Sequence, residues 1–237
     1  MTGSVPTREK GPDMPGGRMG HRPLHFMWVI DASGSMSGTK IESLNTAIRE
    51  VIPVIQKEAE EWPEVDLSVA AIVFSAGARW LGNGFEPIDS YKWAGVTANG
   101  VTDMGHAMNL IAAYLRDKMP ERAIPPVIVL MSDGQPTDDF SSGVNAVLAE
   151  PWGRKAVRLA IAIGDDADQE VLKQFVANPE RPVILASNPE QLVQAIRWAS
   201  TTVTKSVASG RSKEGTDLDP AIPAPPPIPI DSQDKVW

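Results

Sequence analysis

The 237-residue chain contains no cysteine, and this absence excludes several kinds of site at once. Without thiols the chain can form no disulfide framework, no thiolate zinc site and no cysteine nucleophile. Positive charge is also scarce, because 22 Lys and Arg stand against 30 Asp and Glu and give a formal net charge of −8. Nucleic-acid binding needs clustered Lys and Arg against phosphate, so the composition argues against a DNA or RNA partner.

Long hydrophobic runs are lacking as well. No stretch approaches the ~20 apolar residues that span a bilayer, and the first residues contain no apolar segment of a secretion signal. We therefore expect a soluble cytoplasmic protein without a membrane partner, which the lack of cysteine also suits. Hydrophobic residues still make up 42% of the chain, which is enough for a sizeable core.

Composition divides the chain into three regions. Residues 1–22 are rich in Gly, Pro and charge, which predicts a flexible leader, while residues 23–204 carry the periodicity of a single domain. Residues 205–237 contain little that could form a core and predict a Pro-rich flexible tail. Overlapping PxxP spacings between Pro220 and Pro229 favour polyproline II, either as a spacer or as a docking peptide.

Short apolar runs alternate with helical patterns through the central region. Buried strands are predicted at 24–31, 67–74, 127–133, 157–163 and 183–186. Helices are predicted at 41–55, with Pro53 as a kink, at 102–119, capped by Thr102 or Asp103, and at 189–202. A further short strand, Ala78 to Leu81, follows its predecessor too closely for a crossover helix, which predicts an antiparallel edge strand.

This alternation predicts an α/β fold with a doubly wound, mostly parallel, six-stranded sheet and helices on both faces. In sheets with the strand order 3-2-1-4-5-6, the first and fourth strands are neighbours. Asp31 ends the first predicted strand and Asp133 ends the fourth. Both carboxylates would then flank the point where the strand order reverses, which is where ligands bind in such sheets.

Polar residues at these strand ends form a set of oxygen ligands. Asp31, Ser33 and Ser35 alternate in the segment DASGSM, Thr102 precedes the second helix, and Asp133 ends the fourth strand. Two close carboxylates repel each other unless a cation lies between them, and oxygen donors suit Mg²⁺, Mn²⁺ or Ca²⁺ rather than zinc. Two carboxylates neutralise a divalent ion but leave it electrophilic, so an Asp or Glu of a partner protein would complete its coordination.

The segment DASGSM resembles the D-x-S-x-S motif of von Willebrand factor type A (VWA) domains, which have a Rossmann-like fold. Thr102 and Asp133 stand in the right order for the rest of the metal-ion-dependent adhesion site (MIDAS) of that family. The segments TDMGHAM and LMSDGQPTDD are similar to the bacterial tellurium-resistance TerY-like branch in particular. The resemblance runs from about Leu24 to Thr202.

The resemblance implies a protein-binding module and not an enzyme. One departure is that Val101 precedes Thr102, where family members often have Gly. For the TerY-like branch, the resemblance also implies a Ser/Thr protein kinase and a PP2C-type phosphatase as partners. Asp133 is implied to act on the metal through water. The residues implied to reach the metal directly or through water are Asp31, Ser33, Ser35 and Thr102, and the candidates for contacting the partner are Trp93, Asp103 and His106.

Two other functions remain open from the sequence. A metal-dependent phosphohydrolase would use the same carboxylates, but Ser33 occupies the position of a second catalytic Asp, and no Lys or Arg accompanies the triplet closely. The glycines match neither a phosphate-binding loop nor a nucleophile elbow. An adaptor subunit of a MoxR-type or chelatase-type ATPase would share the metal site and differ only in its partner.

Overall fold

The computed structural model describes residues 21–210 and 222–225, and all strands of these ranges lie in one sheet. The strands are β1 (Arg22–Asp31), β2 (Val65–Ser75), β3 (Gly77–Trp80), β4 (Glu86–Pro87), β5 (Val127–Ser132), β6 (Val157–Ile163) and β7 (Ile184–Ala186). The α-helices are α1 (Thr39–Ala59), α2 (Met104–Asp117), α3 (Phe140–Ala149), α4 (Pro151–Lys155), α5 (Gln169–Val176), α6 (Pro189–Trp198) and α7 (Thr204–Ala208). A 3-10 turn (Gly34–Met36) follows β1, and a π-helical segment (Ala199–Val203) joins α6 to α7.

The sheet has the order β3-β2-β1-β5-β6-β7, and β4 also pairs with β2. Strands β1, β2, β5, β6 and β7 are parallel, whereas β3 and β4 run antiparallel to β2. This order confirms the predicted mostly parallel α/β sheet, the antiparallel strand β3 and the contact between the strands that end near Asp31 and Asp133. The sheet has seven strands and not six. The additional strand, β4, pairs through only two residues and leaves no pattern in the sequence from which it could be predicted.

Both faces of the sheet are covered, which explains the continuous apolar run of β1. Trp28 and Ile30 point to the face covered by α1 and α6, while Met27 and Val29 point to the face covered by α2, α3 and α5. Helix α1 buries an apolar stripe and continues through Pro53 to Ala59. None of the helices in the described ranges is both long enough and apolar enough to cross a membrane.

The domain extends past residue 204, where the sequence predicted its end. The helical path from α6 runs through the π-helical segment to Ala208, and Val207 is buried in the core beside α1. Ile222, from the predicted tail, packs on the same cluster. A hydrogen bond also ties the π-helical segment to the sheet, because Trp28 Nε1 donates to Ser200 Oγ at 3.2 Å. At the amino-terminal end, β1 begins at Arg22, one residue before the predicted start of the domain.

Candidate metal centre

The DASGSM segment folds back on itself directly after β1. Asp31 is fully buried, and its Oδ1 accepts a hydrogen bond from the backbone N–H of Ser33 at 2.8 Å. The 3-10 turn then brings the hydroxyl oxygens of Ser33 and Ser35 to 2.9 Å from each other, with Ser33 buried and Ser35 exposed. Gly34 permits this turn by its small size, since an added Cβ would lie 3.3 Å from the carbonyl oxygen of Gly100.

Asp133 follows the last residue of β5 and is 4% exposed. Within the described part of the chain, its Oδ1 is one of the few buried side-chain oxygens without a hydrogen-bond partner. Ser132 connects the two carboxyl-terminal strand ends, because its hydroxyl donates to Asp31 Oδ2 at 2.6 Å and accepts from Gly134 N at 2.9 Å. Such buried oxygens are nearly always satisfied in proteins, so Asp133 Oδ1 is a candidate to contact a ligand.

Burial raises the pKa of the Asp31 carboxyl above its ordinary range. Hydrogen bonds from Ser132 and Ser33 oppose this change, and the negative charge of Asp133 adds to it. A divalent cation next to both carboxylates would favour their charged forms.

Thr102 is placed by the loop that precedes α2, and it is 7% exposed. Its backbone N–H donates to Thr137 Oγ1 at 3.0 Å, and its carbonyl accepts from Thr137 N at 2.9 Å. The same loop is attached to the strand ends, since Asn99 N donates to Ala32 O at 2.7 Å and Asp103 N to Ser75 O at 2.8 Å. The loops carrying the predicted ligands are thus joined by backbone hydrogen bonds, and Thr137 is a contributor that the sequence did not predict.

The predicted capping of α2 by the side chain of Thr102 or Asp103 is wrong. Asp103 accepts instead from Gly77 N at 2.7 Å and from Thr137 Oγ1 at 3.1 Å. Asp138, distant in sequence, caps α2 by accepting from the N–H groups of Gly105 and His106 at 2.7 and 2.8 Å. A local pattern could not reveal this cap, because it depends on how α2 and the β5–α3 loop pack together.

The three residues predicted to contact a partner lie in different environments. Trp93 packs on the core and donates from Nε1 to Asn45 Oδ1 at 2.9 Å. The side chain of Asp103 is 21% exposed, whereas that of His106 is 62% exposed and its Nδ1 lies 3.2 Å from Asp138 Oδ2. Ligand atoms of Asp103, His106 and Asp138 lie within 4.8 Å of one another, but both carboxylates already accept hydrogen bonds.

A lysine lies beside the site, contrary to the expectation from the sequence. Lys40, in the first turn of α1, places its Nζ 3.8 Å from Asp133 Oδ2 and 3.7 Å from Asp166 Oδ1. With Ser35 and Gly164, it lines a cleft next to the strand ends. The sequence does not show this contact, because it depends on how the start of α1 lies against the residue that follows β5.

Residues 87–198 match the family model of the von Willebrand factor type A domain. The fold is that of a VWA domain. A von Willebrand factor type A structure from Catenulispora acidiphila superposes with a TM-score of 0.60 at 18% identity, over 78% of this chain and 43% of that one. The pilus adhesin SpaC from Lactobacillus rhamnosus GG superposes with a TM-score of 0.59 at 15% identity, over 78% of this chain and 30% of the adhesin.

A human protein also resembles this chain in sequence. Inter-alpha-trypsin inhibitor heavy chain H6 from Homo sapiens is 27% identical over 161 residues, which cover 64% of this chain and 12% of the human protein. The chain thus spans less than half the length of each of these three relatives. The segment matched by the family model contains Thr102 and Asp133 and begins after the triplet at Asp31.

The residues of this site fit a divalent metal ion. The donors are carboxylate and hydroxyl oxygens, which Mg²⁺ and Ca²⁺ prefer. The fit rests on the unpartnered buried Oδ1 of Asp133, next to a second buried carboxylate in Asp31.

Proposed function

We propose that this VWA domain is a metal-dependent protein-interaction module that binds an acidic group of a partner. The observation that carries the proposal is the buried Oδ1 of Asp133, which has no hydrogen-bond partner although it lies at the ligand-binding edge of the sheet. A Mg²⁺-type ion, or Mn²⁺ or Ca²⁺, would supply the missing contact. The residues that would hold the ion are Asp31, Ser33, Ser35, Thr102 and Asp133.

Charge explains why this site favours binding of a carboxylate. The two aspartates balance the charge of a divalent ion, and the hydroxyls of the serines and the threonine add no charge. A bound ion would stay electrophilic, with water in the positions that the protein leaves open. Ser35 is exposed, so this side of the site faces solvent. An Asp or Glu of a partner would supply a negatively charged oxygen ligand in place of such a water.

The cellular setting of the proposal rests on sequence resemblance to the TerY-like branch. It places the domain in the bacterial cytoplasm, in a signalling or tellurite-resistance system with a Ser/Thr kinase and a PP2C-type phosphatase. Neighbouring genes for such a kinase and phosphatase, and their co-purification with this chain in Mg²⁺ but not in EDTA, would support it. A neighbouring MoxR-type or chelatase-type ATPase would select the adaptor function instead.

Calorimetric titration tests the metal site itself. After treatment with EDTA, Mn²⁺ and Mg²⁺ are titrated into the wild-type chain and into Asp31→Ala. Asp117→Asn serves as a matched control, because it removes an exposed carboxylate at the end of α2. We expect saturable binding by wild type and control and none by Asp31→Ala. Equal binding by all three proteins would contradict the proposal.

Carboxylate capture needs a second titration. Peptides that contain one Glu, and matched peptides with Gln in its place, are added to the metal-loaded and the metal-free chain. We expect binding of the Glu peptides in Mn²⁺ only. Metal-independent binding of both peptides would show that the site does not recognise the acidic group.

A metal-dependent phosphohydrolase is the second candidate, and the position of Lys40 favours it, because an ammonium beside a metal can hold a phosphoryl oxygen. Steady hydrolysis of a phosphomonoester by the Mg²⁺-loaded chain, lost in Asp133→Ala, would establish that activity. We expect no turnover above the rate of the Asp133→Ala variant.

A further inference from the structure

Lys40 lies between two carboxylates that differ in burial. Its Nζ is 3.8 Å from Asp133 Oδ2 and 3.7 Å from Asp166 Oδ1, and both distances exceed the length of a hydrogen bond. The side chain of Asp133 is 6% exposed, that of Asp166 is 78% exposed, and that of Lys40 is only 12% exposed. The ammonium is thus held by charge between a buried and a solvated partner without a fixed bond to either.

The position of Lys40 in α1 and the absence of a side chain at Gly164 both allow the ammonium to lie between these carboxylates. Lys40 occupies the first turn of α1, where the helix dipole disfavours a positive charge, so the nearby carboxylates have to compensate for its position. Gly164 has a φ of +94°, and an added Cβ would lie 2.7 Å from Asp166 Oδ1 and 3.0 Å from Lys40 Nζ. The missing side chain at Gly164 therefore leaves the space in which lysine and aspartate meet.

We infer that Lys40 is the internal counter-cation of Asp133, and that a divalent metal binds in competition with it. Without metal, the ammonium offsets the charge of the buried Asp133 carboxylate. A divalent ion at that carboxylate repels the ammonium, which moves to Asp166 on its flexible side chain. The inference rests on the proposed metal site and adds the residue that sets its affinity.

Competition predicts the direction in which each variant changes metal affinity. Lys40→Met removes a positive charge near the metal and keeps the length of the side chain, so we expect Mn²⁺ to bind about tenfold more tightly at low ionic strength. Asp166→Asn removes the second partner of the ammonium, so we expect binding to be several-fold weaker, on the order of threefold. In the Lys40→Met background, Asp166→Asn should have no further effect on Mn²⁺ affinity, because the ammonium that Asp166 would attract is absent.

Lys57→Met is the matched control for the charge change. Lys57 is exposed in the last turn of the same helix. A tightening of Mn²⁺ binding by Lys40→Met that Lys57→Met does not reproduce supports the inference. An unchanged or weaker affinity of Lys40→Met, or an equal effect of Asp166→Asn in both backgrounds, would overturn it.

A metal-free measurement separates this inference from the proposed function. In EDTA, urea unfolding is compared for wild type, Lys40→Met, Asp133→Asn and the double variant. We expect Lys40→Met to lower stability in wild type and to have no such effect in the Asp133→Asn background. Additive effects of the two substitutions would overturn the pairing of Lys40 with Asp133.

The Mn²⁺ titration and the unfolding measurement in EDTA can fail independently of each other. If neither wild type nor Lys40→Met binds Mn²⁺ while the coupling in EDTA is present, the proposed metal site is wrong and the competition falls with it. If both bind Mn²⁺ with equal affinity, the metal site stands and only the competition with Lys40 is overturned.

Discussion

Two pairs of carboxylates lie at the carboxyl-terminal edge of the sheet, and they differ in how their oxygens are used. The buried pair, Asp31 and Asp133, follows β1 and β5 and has 0% and 4% exposure. The loop pair, Asp103 and Asp138, lies beside the start of α2, and the side chains are 21% and 16% exposed. All four oxygens of the loop pair accept hydrogen bonds, whereas Asp133 Oδ1 accepts none.

This difference distinguishes acids that are satisfied within the fold from the pair that we propose to bind a ligand. The loop pair is satisfied by N–H and O–H groups and fixes the start of α2 and the loop that carries Thr102. The buried pair places two carboxyl groups in a region shielded from water, where a missing partner costs more than it does at the surface. The sequence does not distinguish the two pairs. The hydrogen bonds that each carboxylate oxygen accepts do distinguish them.

The largest effect should come from metal acting on the buried pair. At a Mn²⁺ concentration 100 times Kd, ligand binding adds about 2.7 kcal/mol to the free energy of unfolding. We expect urea unfolding of wild type to show this gain and Asp133→Ala to show none. A similar gain in Asp133→Ala would mean that Mn²⁺ binds elsewhere.

Removing the cap of α2 should affect stability without abolishing metal binding. Asp138→Ala leaves the N–H groups of Gly105 and His106 without their acceptor, which we expect to lower the free energy of unfolding by about 2 kcal/mol. Urea unfolding in EDTA measures this loss, and calorimetry shows whether Mn²⁺ still binds. Loss of Mn²⁺ binding with unchanged stability would reverse the roles assigned to the two pairs.

Thr137 connects Asp103 of the loop pair to Thr102, which is a proposed metal ligand. Its hydroxyl accepts from Thr102 N and donates to Asp103 Oδ1, so Thr137→Val keeps the shape and removes both hydrogen bonds. We expect a loss of about 1 kcal/mol in stability and a modest weakening of Mn²⁺ binding through Thr102. Urea unfolding and calorimetry on the same samples test both, with the exposed Thr39→Val as control.

The smallest effect concerns pH. Burial raises the pKa of Asp31, so the folded metal-free chain holds a proton more tightly there than the unfolded chain does. The contribution of Asp31 to stability in EDTA should therefore fall as the pH rises from the ordinary carboxyl range through the raised pKa, and then stay constant. Urea unfolding across this range should show a steeper fall for wild type than for Asp31→Asn. The opposite order would contradict the cause assigned to the shift.

Features that depend on neighbouring residues were predictable from the sequence. Trp28 and its neighbours form an apolar run that marks β1, and the change from apolar to polar at Asp31 marks its end. The alternating strands and helices then place Asp31 next to the end of β5, as the structure confirms. The apolar stripe of α1, which includes Leu44 and Ile48, was predictable for the same reason.

Features that depend on packing between distant segments were not predictable. Asp138 caps a helix that begins more than thirty residues earlier, and Lys40 meets Asp133 because the start of α1 lies against the end of β5. Ser200 accepts a hydrogen bond from buried Trp28, which lies 172 residues earlier in the chain. Strand β4 and the short helix α4 are too short to produce a periodic pattern.

The most direct test of the central claim counts bound ions in two double variants. Electron paramagnetic resonance measures Mn²⁺ bound to wild type, to Asp31→Asn/Asp133→Asn and to Asp103→Asn/Asp138→Asn. We expect one ion per chain in wild type and in the variant of the loop pair, and none in the variant of the buried pair. Binding that survives loss of the buried pair, or disappears only with the loop pair, would contradict the assignment of the metal site.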